Sequence, residues 1–230
     1  MKFGVIVFPG SNCDRDISTI TQGILDAPTR MVWHQETDIS DLDVVVVPGG
    51  FSYGDYLRCG AIAQFSPVMN SIIEHVKQGK YVLGICNGVH VLTEVGLLPG
   101  ALISNRGLHF ICDRVPVKVE RNDLIWTTDY QAQEVITLPI AHGEGCYYAD
   151  EDTLKAVEDN NQVLFRYSSA MGKINADNNP NGSINSIAGI VNQQGNVLGM
   201  MPHPERAADK GIGGTDGLAM FEGLMNLLTS

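Results

Sequence analysis

A chain of 230 residues that is 44% hydrophobic and only 7% aromatic can bury a sizeable core, and it fits a single α/β domain spanning 1–230. Its formal net charge of −11, with no basic cluster, removes the attraction on which nucleic-acid binding rests, so no DNA or RNA partner is expected. Five widely spaced cysteines, Cys13, Cys59, Cys86, Cys112 and Cys146, contain no Cys-x-x-Cys pair, so reduced thiols are expected and no metal site.

Lys2 to Phe8 is a short continuous apolar run, the pattern of a strand buried on both faces of a parallel sheet. It stops at Pro9-Gly10, too short for a signal segment, and no later run approaches a membrane span; a cytoplasmic protein is expected. Turn residues Ser11 and Asn12 then lead into a helix carrying Ile17, Ile20, Ile24 and Leu25. Further strands are predicted at Thr29 to His34, Val44 to Val47 and Tyr81 to Ile85, and their spacing implies βαβ units with helices on both faces. A helix is predicted over Ile62 to Lys77, with His75 at the surface or the helix end.

Two stretches of this half carry chemistry. After Val47, the run from Pro48 to Ala61 holds four glycines beyond a strand end, where open α/β sheets bind ligands. The strand at Tyr81 to Ile85 ends abruptly in Gly84-x-Cys86-x-Gly88, the cysteine counterpart of a nucleophile elbow. Small flanking residues there permit a sharp strand-to-helix turn, and the helix N-terminus stabilises a thiolate.

Beyond Pro99-Gly100, strands at Leu108 to Val119, Leu124 to Thr127 and Val135 to Ala141 are predicted to form an antiparallel region covering one side of the parallel sheet. A short helix at Leu154 to Asn160, a strand at Gln162 to Tyr167, a hairpin of Ile187 to Val191 with Val197 to Met201, and an amphipathic helix from Leu218 to Leu228 complete the chain. Two segments compete to supply a base: His142 with Glu144, and His203 with Glu205. Pro202 and Pro204 favour the second, since each pushes the preceding residue towards extended geometry, in which residues i and i+2 share a face. Cys86, His203 and Glu205 then supply nucleophile, base and orienting acid, with the Gly50 and Asn87 N–H groups placed to hold an oxyanion. Residue types alone reach as far as a thiol acyltransferase or amidohydrolase.

These motifs resemble the class I (triad) glutamine amidotransferases, whose flavodoxin-like sheet is mostly parallel. More narrowly, Pro9-Gly-Ser-Asn-Cys-Asp14, Gly49 to Leu57, Gly84-Ile-Cys-Asn-Gly88, Ala141 to Gly145, Asn179 to Ser183 and Gly199 to Arg206 resemble the glutaminase subunits of phosphoribosylformylglycinamidine synthase. The resemblance implies that L-glutamine is hydrolysed through a glutamyl thioester on Cys86 and that the ammonia passes to a synthetase subunit. That partner uses ATP and magnesium to make the amidine of formylglycinamide ribonucleotide in purine biosynthesis, often with a third small subunit; no cofactor is expected in this chain. It also implies that Gly49, Gly50 and Phe51 belong to the glutamine and oxyanion loop, and that Arg106 and His142 line the pocket or the ammonia exit. His90 stands where the family usually has glutamine contacting the amino-acid end of the substrate, so altered glutamine affinity is expected. It also motivates the rival of a degenerate regulatory subunit, beside that of a glutaminase for another biosynthetic amidotransferase.

Overall fold

The computed structural model describes residues 1–226. Its centre is a nine-stranded sheet in the order β2-β1-β3-β4-β11-β10-β9-β6-β7. The strands are β1 (Phe3–Val7), β2 (Thr29–Trp33), β3 (Val44–Val47), β4 (Tyr81–Ile85), β6 (Ile111–Val119), β7 (Val135–His142), β9 (Val163–Tyr167), β10 (Ile187–Val191) and β11 (Val197–Met200). A separate antiparallel pair joins β5 (Ala101–Ile103) to β8 (Cys146–Tyr148). Helices α1 (Asp14–Ser18), α2 (Pro67–Lys77), α3 (Asn87–Glu94), α4 (Glu151–Asp159) and α5 (Leu218–Asn226) complete the set; Leu228 lies outside the described residues.

Strands β2, β1, β3, β4 and β11 are mutually parallel; the βαβ spacing predicts this for the first four, whereas the sequence offers β11 only as half of a hairpin. All four valines of β3 are fully buried, because helices cover both faces of a central parallel strand. From β11 onward every pairing is antiparallel. The antiparallel strands therefore do not cover one side of the parallel sheet, as the sequence reading has it; they extend the same sheet at its edge. The hairpin explains this. β11 pairs parallel to β4 on one edge and antiparallel to β10 on the other, so the hydrogen-bond ladder continues across the junction.

Several local expectations change. The segment Leu124 to Thr127 forms successive turns, not a strand, with bonds from Thr127 N–H to the Leu124 carbonyl and from Tyr130 N–H to that of Thr127. Its apolar content serves packing: Trp126 is fully buried, edge-on to Tyr81, and donates its indole N–H to the Gly195 carbonyl at 2.8 Å. Helix α2 starts only at Pro67, because a residue before proline is driven out of helical geometry; Ser66 accordingly has ψ 139°. Phe65 is left 80% exposed. The first predicted helix is a single α turn widening into i→i+5 turns, with Leu25 N–H bonded to the Ile20 carbonyl.

His75, expected at the surface or the helix end, stands in the last turn of α2 but is buried. Burial, and then the Lys80 charge, lower its pKa to about 4. The folded state thus keeps it neutral where the unfolded chain would protonate it near 6.5. That stability is fully present above about pH 6.5 and is lost as pH falls towards about 4. Denaturation midpoints measured across this interval should fall with pH, and more shallowly for His75→Gln, with His142 supplying part of the remaining slope because its pKa is lowered in the same way.

Candidate active site

Cys86 sits between the end of β4 and the first residue of α3 with φ 50° and ψ −108°, a conformation that L-residues rarely hold outside strained, functional turns. The two flanking glycines make the turn possible. A Cβ on Gly88 would lie 1.9 Å from the Val47 carbonyl oxygen, and one on Gly84 2.5 Å from Leu92 Cδ1. The Cys86 N–H bonds the Met200 carbonyl at 2.9 Å, so the elbow is pinned to the end of β11.

That same strand end delivers the base. His203 follows β11 with its N–H bonded to the Pro139 carbonyl at 2.8 Å. Its Nδ1 lies 2.6 Å from Glu205 Oε1, and the two side chains are 1% and 0% exposed. The carboxylate accepts a hydrogen bond from Nδ1–H, which leaves Nε2 available to the thiol. The pair favoured by the sequence argument is in contact, by a partly different route. His203 is extended, but Pro204 opens a 3-10 turn through Ala207 that curls Glu205 back onto the imidazole. Burial alone would lower the His203 pKa, but the charges of Glu205 and Cys86 outweigh it and raise it to about 10.

Gly49 allows the neighbouring loop to pass beside this pair, since a Cβ there would lie 2.8 Å from His203 Cε1 and 3.3 Å from Cys86 Cβ. Behind it, Arg206 donates to Cys13 Sγ and to Asp16 Oδ2, each at 3.0 Å. The Cys13 thiol is pushed up to about 12, chiefly by burial.

Cys86 opens into a cavity of about 190 Å³. Of the residues the sequence reading selected, Gly50, Phe51, Asn87, His90 and His142 line it. Arg106 does not: it lies on an exposed turn, its main chain bonded to Asn181. The side chain there that reaches His142 is its buried neighbour Asn105, which nothing in the sequence marks. Asn105 Nδ2 donates to the His142 and His109 carbonyls, so its Oδ1 faces, and accepts from, Gly145 N–H and His142 Nδ1. His142 Nε2 is thereby left as a bare acceptor, without a hydrogen-bond partner among the described residues. Burial, then His203 and His90, lower the His142 pKa to about 4, so it is neutral where His203 is charged.

Asp55, Cys59, Phe110 and Glu144 also line the cavity and were not selected. Asp55 and Cys59 could have been sought in the glycine-rich loop, and Glu144 in the segment weighed as the rival base. Asp55 accepts from Asn87 Nδ2 at 2.8 Å, and burial raises the pKa of both Asp55 and Cys59. His90 Nε2 donates to the Glu144 carbonyl at 2.7 Å. A wider groove of about 630 Å³ beside Leu97, Pro99 and Val157 is lined by no cysteine, histidine or carboxylate. A constrained thiol, an imidazole held by a buried carboxylate and a small cavity are the parts needed for acyl transfer. Gly88→Ala should destabilise the fold by about 1–3 kcal/mol through overpacking at the Val47 carbonyl, read as a lowered thermal midpoint, with slower alkylation of Cys86 in the folded protein.

Residues 1–212 match the CobB/CobQ-like glutamine amidotransferase domain family. The chain is 73% identical over 220 residues to the phosphoribosylformylglycinamidine synthase subunit PurQ of Synechocystis sp., covering 96% of this chain and 98% of the relative. It is 70% identical to the same subunit of Acaryochloris marina, covering 99% of this chain and 97% of the relative. Among solved structures, PurLQS of Thermotoga maritima superposes with a TM-score of 0.88 at 40% identity, over 99% of this chain and 98% of that one. A putative GMP synthase subunit of Thermoplasma acidophilum, at 15% identity and TM-score 0.64 over 100% of this chain and 94% of that one, shares the fold. The chain belongs to the PurQ family of glutamine amidotransferases.

Proposed function

We propose that the chain is the glutaminase subunit of a phosphoribosylformylglycinamidine synthase. The observation that carries this reading is the His203–Glu205 contact of 2.6 Å, buried beside the strained Cys86 elbow. The Cys86 thiolate attacks the glutamine carboxamide, and the Gly50 and Asn87 N–H groups hold the oxyanion. His203 gives its proton to the departing ammonia; the thioester is then hydrolysed by water, with His203 as base and Glu205 steadying its charge. Gly49, Phe51, His90 and His142 shape the substrate pocket, and the bare His142 Nε2 accepts a hydrogen bond from a substrate N–H. Arg106, outside the cavity, takes no direct part.

Ammonia then passes to the synthetase subunit, which uses ATP and magnesium on formylglycinamide ribonucleotide, together with a third small subunit. An apolar rim supports docking over the site: Phe51 and Phe110 line the cavity, and Tyr56, Leu57 and Leu108 beside them are 70%, 78% and 84% exposed. No described helix is long and apolar enough to cross a membrane, and five unpaired cysteines suit a reducing compartment; the cytoplasm is the proposed location. The complete Cys86, His203 and Glu205 geometry favours catalysis over a degenerate regulatory subunit.

Glutamate release from glutamine should rise when the synthetase partner, ATP, magnesium and formylglycinamide ribonucleotide are added, and vanish in Cys86→Ala. No Cys86-dependent release in either condition would overturn the reading. In Glu205→Gln, the charge that raises the His203 pKa is gone, so the alkaline limb of kcat/KM should move to lower pH, with a loss of about two to four orders of magnitude in kcat.

A further inference from the structure

Cys59, His90 and Glu144 each offer a donor atom, and the three atoms all lie within 4.8 Å of one another. They come from the glycine-rich loop, from α3 and from the turn between β7 and β8. Gly60 sets the first two side by side: a Cβ there would be 2.8 Å from the His90 carbonyl carbon, so the loop rests directly on the α3 backbone at His90. Asp55, four residues before Cys59 in the same loop, lines the same cavity and brings a further carboxylate to this wall. His90 Nε2 donates to the Glu144 carbonyl, which fixes the tautomer and leaves the lone pair on Nδ1. A ring N–H held by a backbone carbonyl is the arrangement that orients metal-bound histidines.

The donor set selects the ion. One sulfur, one imidazole nitrogen and carboxylate oxygens suit a borderline divalent cation of the zinc class, whereas magnesium and calcium favour all-oxygen sites. Donors around tetrahedral zinc stand about 3.5 Å apart, a closure that side-chain rotations of the partly exposed Cys59 and Glu144 can supply. No lysine or arginine lines the cavity to neutralise Asp55 and Glu144. The lack of a local Cys-x-x-Cys spacing, which argues against a zinc site in the sequence, is no obstacle here, because the fold gathers these donors from distant segments.

We propose that Cys59, His90 and Glu144, completed by Asp55, form a site for a zinc-class divalent cation in the wall of the Cys86 cavity, and that its occupation excludes glutamine. The second half rests on the glutaminase reading: the ammonium of an amino-acid substrate is the other cation this wall can accept, so metal and substrate compete.

Binding is measured on the full chain carrying Cys86→Ala, which removes the other thiol of the cavity and makes the readout independent of activity. Zn²⁺ titrated against a chromophoric chelator should bind at one equivalent, and Co²⁺ should give a thiolate-to-cobalt charge-transfer band. Cys59→Ser should abolish that band, and Cys59→Ser or His90→Gln should each weaken Zn²⁺ binding by about ten-fold or more. Cys13→Ser should change neither, although Cys13, His203 and Glu205 also stand close together. Saturating glutamine should weaken Zn²⁺ binding. Absence of stoichiometric binding, indifference to Cys59→Ser, or loss in Cys13→Ser would overturn the site. Binding with these dependences but without competition from glutamine would overturn the exclusion and leave the site standing.

Discussion

The active-site region depends on one steric constraint: the first turn of α3 is pressed against the end of β3 so closely that no side chain fits between them. A Cβ on Gly88 would overlap the Val47 carbonyl oxygen far inside van der Waals contact, and Gly84 and Gly49 are confined by Leu92 and His203. This contact forces Cys86 into its unusual backbone geometry and fixes where α3 begins, and so where Asn87 and His90 face the cavity. The loop after β3 must then run past the thiol, and it carries Gly50, Phe51, Asp55 and Cys59 to the same cavity. Glycine is used at these points for absence of bulk, a stronger requirement than conformational freedom.

Within this frame, two imidazoles in neighbouring positions are driven to opposite protonation states. His203 has a carboxylate against Nδ1 and a thiol nearby, and holds its proton well above neutrality. His142 has a carboxamide oxygen against Nδ1 and other imidazoles nearby, and stays neutral. Burial acts against charge in both cases; the partner on Nδ1 separates them. One group is thereby suited to moving a proton and the other to accepting a hydrogen bond.

The sequence exposed what depends on residue type and short spacing. Strands β1, β3 and β4 are continuous apolar runs, and the elbow needs its two glycines within a five-residue motif, so both were legible. His203 and Glu205 were legible as a pair, because proline constrains the backbone between them, although the turn it starts is 3-10 in form and not extended. What could not be read depends on distant contacts. The apolar stretch Leu124 to Thr127 looks like a strand, yet it is a knob of turns held by Trp126 against Tyr81 and Gly195. Asn105 makes four hydrogen bonds, and the three that hold His142 and Gly145 exist only once β7 and its following turn are in place; the resemblance pointed instead to Arg106 beside it. Whether an antiparallel strand extends a sheet or covers it is likewise decided by an edge, here that of β11.

The parallel pairing of β4 with β11 also sets a timetable. It joins Cys86 to Met200 by a main-chain bond, so nucleophile and base meet through the sheet and not through adjacency in the chain. During synthesis the elbow emerges long before β11 exists, and at ribosomal speed the interval is on the order of ten seconds. Throughout that time the thiol has no base and its strand has a bare edge. The reactive centre is therefore complete only when the hairpin of β10 and β11 has joined β4.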